Sequence, residues 1–342
     1  MKRLIAFLLA LTMLFALAAC SAKTETADAA APSETASNDS AASSGTTRLV
    51  LGTSTTGSTY YILGTSWADV MKSAVPGVEI SIEATPGGIT NMQSMRSGDM
   101  DMGMTTSWLG GDGWAGTSWA EGTKYDNCLS MFPTHSSVLY IFTLADSGIN
   151  SIMDLEGKAI GTGALGSTSG DAVPLLLDAL GITVKSTANL SSSGICDALK
   201  DGTIDVGFGV TGVPASWMLD LETSKDIKII PLTQDEINTV LTAQPYWSSG
   251  VIPGGVYKNH DEDIPCITFG NFFMANKDLD EDLVYNLVKA TFENKAEIEK
   301  VDKNAAGIDV ANFGFLTMPL HPGAQRYYEE IGVEIPDNLK LG

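Results

Sequence analysis

Positive charge is scarce in this chain. Twenty Lys and Arg residues stand against 41 Asp and Glu, for a formal net charge of −21 over 342 residues. Only four of the basic residues are arginines: Arg3, Arg48, Arg96 and Arg326. That balance excludes a nucleic-acid partner, which needs clustered Lys and Arg to neutralise phosphates. It also repels a small anion at long range, so an anion can be held only where the site itself is locally positive. Histidine is rarer still, with His135, His260 and His321 scattered along the chain. Cysteine occurs four times, as Cys20, Cys128, Cys196 and Cys266, without a Cys-x-x-C or a Cys/His metal spacing. No metal and no cofactor is therefore expected. Beyond Cys20 the cysteines are odd in number, which suits buried free thiols and leaves one unassignable disulfide open. No Gly-x-Ser-x-Gly occurs, since Gly64-Thr-Ser-Trp and Gly116-Thr-Ser-Trp are each followed by Ala. Asp99 and Asp101 lie in a helix-to-strand turn, where solvated Asp is the usual case. Catalysis is not expected.

Long apolar runs are also few. Lys2 and Arg3 precede one such run, Leu4 to Ala16, followed by Leu17-Ala-Ala-Cys20. The run is shorter than the roughly 20 residues a membrane span needs. The pattern is that of a secretory signal ending in a lipobox, with residues 1–20 as leader and Cys20 as the lipidated residue. Loss of Lys2 and Arg3 with the leader would take the charge from −21 to −23. Residues 21–47 are mostly Ala, Ser, Thr, Glu, Asp and Asn, with no aromatic residue and no Val, Ile or Leu. Such a stretch buries too little apolar surface to offset its ordering entropy. It reads as a flexible linker with a reach on the order of 28 Å. The expected location is extracytoplasmic, with the protein anchored to membrane lipid through Cys20.

From Arg48 the composition turns globular, and its length suits two lobes better than one core. Strand, glycine-rich turn and helix alternate. Strands are expected at 48–52, 78–84, 101–105, 137–145, 204–209 and 264–275, and helices at 60–75, 89–97, 172–180, 281–294 and 324–331. This rhythm predicts an α/β fold built on a mainly parallel sheet. Two phrases echo each other across the halves, Met95-Arg-Ser-Gly-Asp-Met-Asp-Met-Gly103 and Leu199-Lys-Asp-Gly-Thr-Ile-Asp-Val-Gly207. Each reads as helix end, glycine, then strand, as two similar lobes would require.

Gly52-Thr-Ser-Thr-Thr-Gly57-Ser58-Thr59 has the spacing of a phosphate loop, with Ser58 where the lysine should stand. An NTPase is excluded on that ground. A strand–loop–helix junction nevertheless aims backbone N–H groups and the positive end of a helix dipole at one point. Thr85-Pro-Gly-Gly-Ile-Thr90-Asn91 and Gly166-Ser167-Thr168-Ser169 carry the same chemistry. Loops at the C-terminal ends of parallel strands share one edge, so the three should converge.

Taken in order, these phrases resemble the TAXI family, the extracytoplasmic receptors of TRAP transporters. The resemblance rests on Thr56-Gly-Ser-Thr-Tyr-Tyr-x-x-Gly64, Thr85-x-Gly-Gly-x-x-Asn91, Ser97-Gly-Asp-x-Asp-x-Gly103, Asp146-Ser-Gly-Ile149, Asp154-Leu-x-Gly-Lys158, Gly166-Ser-Thr and His321-Pro-Gly-Ala-x-x-Tyr-Tyr-x-Glu-x-Gly332. It runs from about Leu49 to Gly332. Ser58 replaces a usual Gly, and Gly87-Gly88 replace a usual Gly-Ser, which alters the pocket lining. The resemblance implies a two-lobed periplasmic-binding-protein fold, type II-like, with two β crossovers and a ligand cleft between the lobes. The first lobe would comprise residues 48–142 and 268–342, and the second residues 143–267, with crossovers near 140–145 and 268–275. It further implies a small acidic organic solute such as glutamate, 2-oxoglutarate or a related carboxylate, and a TRAP membrane permease as partner. A ligand-sensing surface lipoprotein on the same scaffold is the alternative.

No arginine falls at the C-terminal end of a strand, so helix N-termini and hydroxyls are expected to hold the carboxylate. The expected ligand-binding residues are Gly57, Ser58, Thr59, Tyr60, Thr90 and Asn91 from the first lobe and Ser167, Thr168 and Ser169 from the second. Tyr327 and Tyr328 are expected to pack a terminal helix against the first lobe.

Overall fold

The computed structural model describes residues 45–341; the leader, Cys20 and the linker through residue 44 lie outside the described residues. The first lobe opens with β1 (Thr47–Gly52), α1 (Thr59–Ala74), β2 (Val78–Glu83), α2 (Gly88–Ser97), β3 (Met102–Thr106) and α3 (Ser107–Ala115). The long β4 (Cys128–Leu144) leads into β5 (Ala159–Thr162), α4 (Thr168–Leu180), β6 (Ser186–Asn189), α5 (Ser192–Lys200) and β7 (Val206–Thr211). Then follow α6 (Ser216–Glu222), β8 (Ile227–Ile229), α7 (Gln234–Ala243) and β9 (Ser248–Ile252). A second long strand, β10 (Ile264–Asn276), precedes α8 (Glu281–Glu293), α9 (Lys295–Val301) and α10 (Pro322–Glu330).

The main sheet path is β2-β1-β3-β10-β4-β7-β5-β6, with β8 on β4 and β9 on β10. It is a palindrome in form. Each half has three parallel strands with the first in the middle, β2-β1-β3 and β6-β5-β7, followed by a long antiparallel strand. The echoed phrases are the matching corners of these halves. Asp101 accepts from the Val50 amide at 2.8 Å and returns its own N–H to the Val50 carbonyl at 3.1 Å. Asp205 does the same with Ala159, at 2.8 and 2.7 Å. Both carboxylates therefore tie one strand to the start of its parallel neighbour.

Local sequence explains the elements. Leu63, Trp67 and Met71 recur at helical spacing on α1 and are fully buried. Ser58 caps the start of α1, and Val75, which precedes Pro76, ends it. β4 begins nine residues before the expected Ser137, since its whole first half is buried on both faces. Pro133, the residue that argues against a strand there, sits at a register shift against β10, where a missing N–H is tolerated.

β4 and β10 are the crossovers. Val138–Phe142 of β4 pair with β7, while the preceding stretch pairs with β10. In β10, Ile264–Thr268 pair with β9 and Asn271–Ala275 with β3. The change of partner in β4 thus falls at Ser137–Val138, ahead of the expected 140–145. The first-lobe core gathers around Trp67, Phe132 and Phe273, and the second-lobe cores around Val206 and Phe208 on one side and Tyr140 and Phe142 on the other. Cys128, Cys196 and Cys266 are buried free thiols. Tyr327 and Tyr328 are buried, the first stacked on Phe292 and the second edge-on to Phe313, and do pack α10 onto the first lobe.

Candidate functional site

Four helices aim their N-termini at one cavity. The residues that start α1, α2, α4 and α5 are Ser58, Gly87, Ser167 and Ser191, and all four line it. The reason lies in the sheet, since each helix follows a strand whose C-terminal end faces the same edge. Three of the caps are serine hydroxyls, which accept from the N–H of Tyr61 at 3.2 Å, Gly170 at 3.1 Å and Gly194 at 3.2 Å. Earlier amides of each first turn have no intrahelical acceptor and remain available to a ligand. Gly87 caps α2 without a side chain, at φ 147°, a conformation suited to glycine. A Cβ there would also lie 3.2 Å from the Ser167 Cα in the opposite lobe.

The cavity has a volume of about 50 Å³, and its remaining walls include Ser54, Thr55, Ser192 and Thr211. None of its described lining residues is Lys, Arg, His, Asp or Glu. The described arginines are engaged elsewhere. Arg48 pairs with Glu79, Arg96 donates to the Lys124 carbonyl, and Arg326 pairs with Glu281 and Asp282. The local field is therefore set by helix ends, each equivalent to roughly half a positive charge. Such a field favours negative charge over positive.

The floor of the cavity is a buried polar network centred on Asn271. Its Nδ2 shares its two protons among the carbonyls of His135 at 2.8 Å and Phe269 at 3.1 Å and Ser137 Oγ at 3.0 Å. Its Oδ1 accepts from the Tyr60 hydroxyl. Ser137 Oγ also lies 3.2 Å from His135 Nε2. Burial pushes the Tyr60 phenol well above its usual range and holds the His135 imidazole down at about 3, so both stay neutral at physiological pH.

The lobes meet across the cavity mouth. Thr59 and Thr211 share a hydroxyl hydrogen bond of 2.8 Å, and the Gly212 amide donates to Thr59 Oγ1 at 3.1 Å. Ser216 Oγ donates to the Gly57 carbonyl at 2.8 Å. The arrangement is a closed clamp, with the lobes joined by the two strands behind and by these contacts in front.

Six of the nine expected residues line the cavity: Ser58, Thr59, Tyr60, Ser167, Thr168 and Ser169. Three do not. Asn91 is fully buried and donates to the carbonyls of Thr53 and Met104, at 2.8 Å each, while accepting from Thr85 Oγ1 at 2.8 Å. Both its protons and one of its two lone pairs go to bracing the loops, and its full burial keeps the rest from a ligand. Thr90 points its hydroxyl at Gly166, where an added Cβ would lie 2.8 Å away, which makes it a rim contact between the lobes. Gly57 adopts the left-handed conformation that turns the loop, and its carbonyl serves Ser216.

Other lining residues were not expected: Ser191 and Ser192 at α5, Thr211 at the end of β7, and Ser137 and Asn271 on the two crossovers. A signal existed for α5, since Leu190-Ser-Ser-Ser-Gly194 is a run of N-cap residues before an apolar helix pattern. Asn271 stands as one polar residue inside the apolar run Phe269–Phe273, which marks it as exceptional without saying what it faces.

Two α/β lobes, strands crossing between them, and a cleft lined by helix N-termini define a solute-binding-protein fold of the periplasmic type. The chain belongs to the NMT1-like family, whose model matches residues 51–332. Among solved structures, the periplasmic binding protein BugD superposes with a TM-score of 0.51 at 13% identity, covering 84% of this chain and 98% of BugD. A structure from work on glutathione import through GshT and the cystine ABC importer TcyBC of Streptococcus mutans gives a TM-score of 0.48 at 16% identity, covering 78% of this chain and 98% of the other.

Proposed function

We propose that this protein is the extracytoplasmic receptor of a TAXI-type TRAP transporter, anchored through Cys20, and that it captures a small organic anion. The observation that carries this reading is the convergence of four helix N-termini on a closed cavity whose described lining residues hold no charged side chain. Each helix end stabilises an anion by roughly 0.3–1 kcal/mol, and by up to about 2 when partly buried. Each hydrogen bond to a charged group adds about 1.5–3 kcal/mol. Several together suffice for tight binding without a cation. Family membership and the two-lobed frame support a receptor, and the Tyr60-Tyr61 and His321-Pro-Gly-Ala324 phrases favour the TAXI branch.

The reading is tested in two stages. A thermal-shift screen of carboxylic acids should find a stabilising ligand, since a ligand at 100 times its Kd adds about 2.7 kcal/mol. Proteoliposomes with a TRAP permease should then take up that acid only with the receptor present and an ion gradient imposed. Uptake driven by ATP hydrolysis would overturn the TRAP assignment. Cys20→Ala should abolish labelling by a fatty-acid analogue, and unchanged labelling would remove the anchor.

A further inference from the structure

The floor network has a fixed polarity, and that polarity specifies a group on the solute. The Asn271 carboxamide cannot flip, because its Nδ2 faces the carbonyls of His135 and Phe269, which only accept. Its Oδ1 must therefore face Tyr60, and the Tyr60 hydroxyl must spend its one proton on that oxygen. Tyr60 is 8% exposed and lines the cavity. With its proton committed, its oxygen has only lone pairs left for a guest.

Ser137 presents the opposite polarity. His135 is buried, and its Nδ1 has no hydrogen-bond partner. A buried N–H without an acceptor costs more than a bare lone pair, so the proton sits on Nε2 and points at Ser137 Oγ, 3.2 Å away. Ser137 Oγ also faces Asn271 Nδ2 at 3.0 Å, a pure donor that shares its two protons among this oxygen and the carbonyls of His135 and Phe269. With only donors facing it from the protein, the Ser137 hydroxyl leaves its own proton to the cavity that Ser137 lines.

The two ends of one carboxamide thus hold an acceptor, Tyr60 Oη, beside a donor, the Ser137 hydroxyl. We infer that the solute carries a hydroxyl next to its carboxylate, the carboxylate accepting from Ser137 and the helix amides and the hydroxyl donating to Tyr60. This inference rests on the carboxylate reading above and narrows it to 2-hydroxy acids. A 2-oxo acid would set a second acceptor against the Tyr60 lone pairs. An ammonium would meet four positive helix ends and no carboxylate among the described lining residues.

The test is isothermal titration of the full chain with matched trios of 2-hydroxy, 2-oxo and 2-amino acids, on carbon skeletons from glycolate to 2-hydroxyglutarate. In the trio that binds, the hydroxy acid should bind roughly tenfold or more tightly than the other two, because a site built to pair a hydroxyl rejects analogues that lack it. Tyr60→Phe, checked for folding by its melting curve, should reduce that preference to within about threefold. A wild-type protein that binds the oxo or amino acid as tightly as the hydroxy acid overturns this inference and leaves the receptor reading intact. Binding of no acid in any trio overturns both. The wild-type ranking stands as a test even if Tyr60→Phe does not fold.

Discussion

The hydroxyls of Thr59 and Thr211 lie 2.8 Å apart across the cleft, one at the start of α1 and the other at the end of β7. Together with Ser216 and the Gly57 carbonyl they latch the closed form. Ser216 is absent from the cavity lining, so it separates latching from direct contact. Ser216→Ala is predicted to raise the solute dissociation rate by roughly threefold, the worth of one modest hydrogen bond, with association unchanged. Stopped-flow titration reads both rates. A slower association with normal dissociation would count against a latch.

Asn91 is predicted to matter for folding. Asn91→Ala removes three buried hydrogen bonds at once, takes its donor from the Met104 carbonyl and leaves the Thr53 carbonyl with the Thr85 hydroxyl alone. The expected loss is about 2–4 kcal/mol of unfolding free energy. Urea denaturation should show it as a lower midpoint. Unchanged stability with abolished binding would return Asn91 to the site.

Acid should destabilise the protein partly through His135. Its folded value, about 3, lies below the ordinary 6.5, so the unfolded chain takes up the proton first. The stability it contributes is complete above 6.5 and drains away as the pH falls toward 3. Between pH 7.5 and 4.5 this amounts to on the order of 2–3 kcal/mol. His321, whose imidazole is also lowered by burial, acts in the same direction. His135→Gln should therefore show a smaller drop in urea midpoint over that interval than wild type, and an identical drop would refute the assignment.

Binding itself should be nearly indifferent to pH. No charged side chain lines the cavity among the described residues, and Tyr60 and His135 keep their neutral forms throughout the physiological range. Affinity for a fully ionised carboxylate is predicted to vary by less than about threefold from pH 7 to 8.5, above the range in which Asp171, in the first turn of α4 and raised to about 6 by burial, changes charge. The association rate should instead rise with salt, because the acidic surface repels the anion until it is screened. A rate that falls with salt would point to a steering cation.

Much of this was legible in the sequence, and the limits have physical causes. α1 could be read because its cap, its apolar spacing and its terminal proline all agree. The Gly/Ser/Thr loops betrayed three of the four helix N-termini, since capping is local chemistry. Asn91 misled because its residue type suits a ligand contact and a loop brace equally well, and only the fold reveals that three partners consume it. Asn271 and Ser137 were invisible as a pair, because the antiparallel pairing of β4 with β10 is what joins residues 134 positions apart. β8 and β9, of three and five residues, are too short to announce themselves, and pairing to the long strands sustains them.

The palindromic sheet has a mechanical corollary. Its two connections are continuous strands, hydrogen-bonded to each other from Val138–Thr268 onward. Two antiparallel rails of this kind resist stretching and shear and yield only to twist or bend. Opening is thereby confined to rotation about one axis that runs through the ladder. The Asn271 carboxamide and Ser137 lie on those rails and stay with the first lobe's floor as the second lobe swings away. A solute can thus dock on a finished half-site before the clamp shuts, and the second lobe's role is to seal it in.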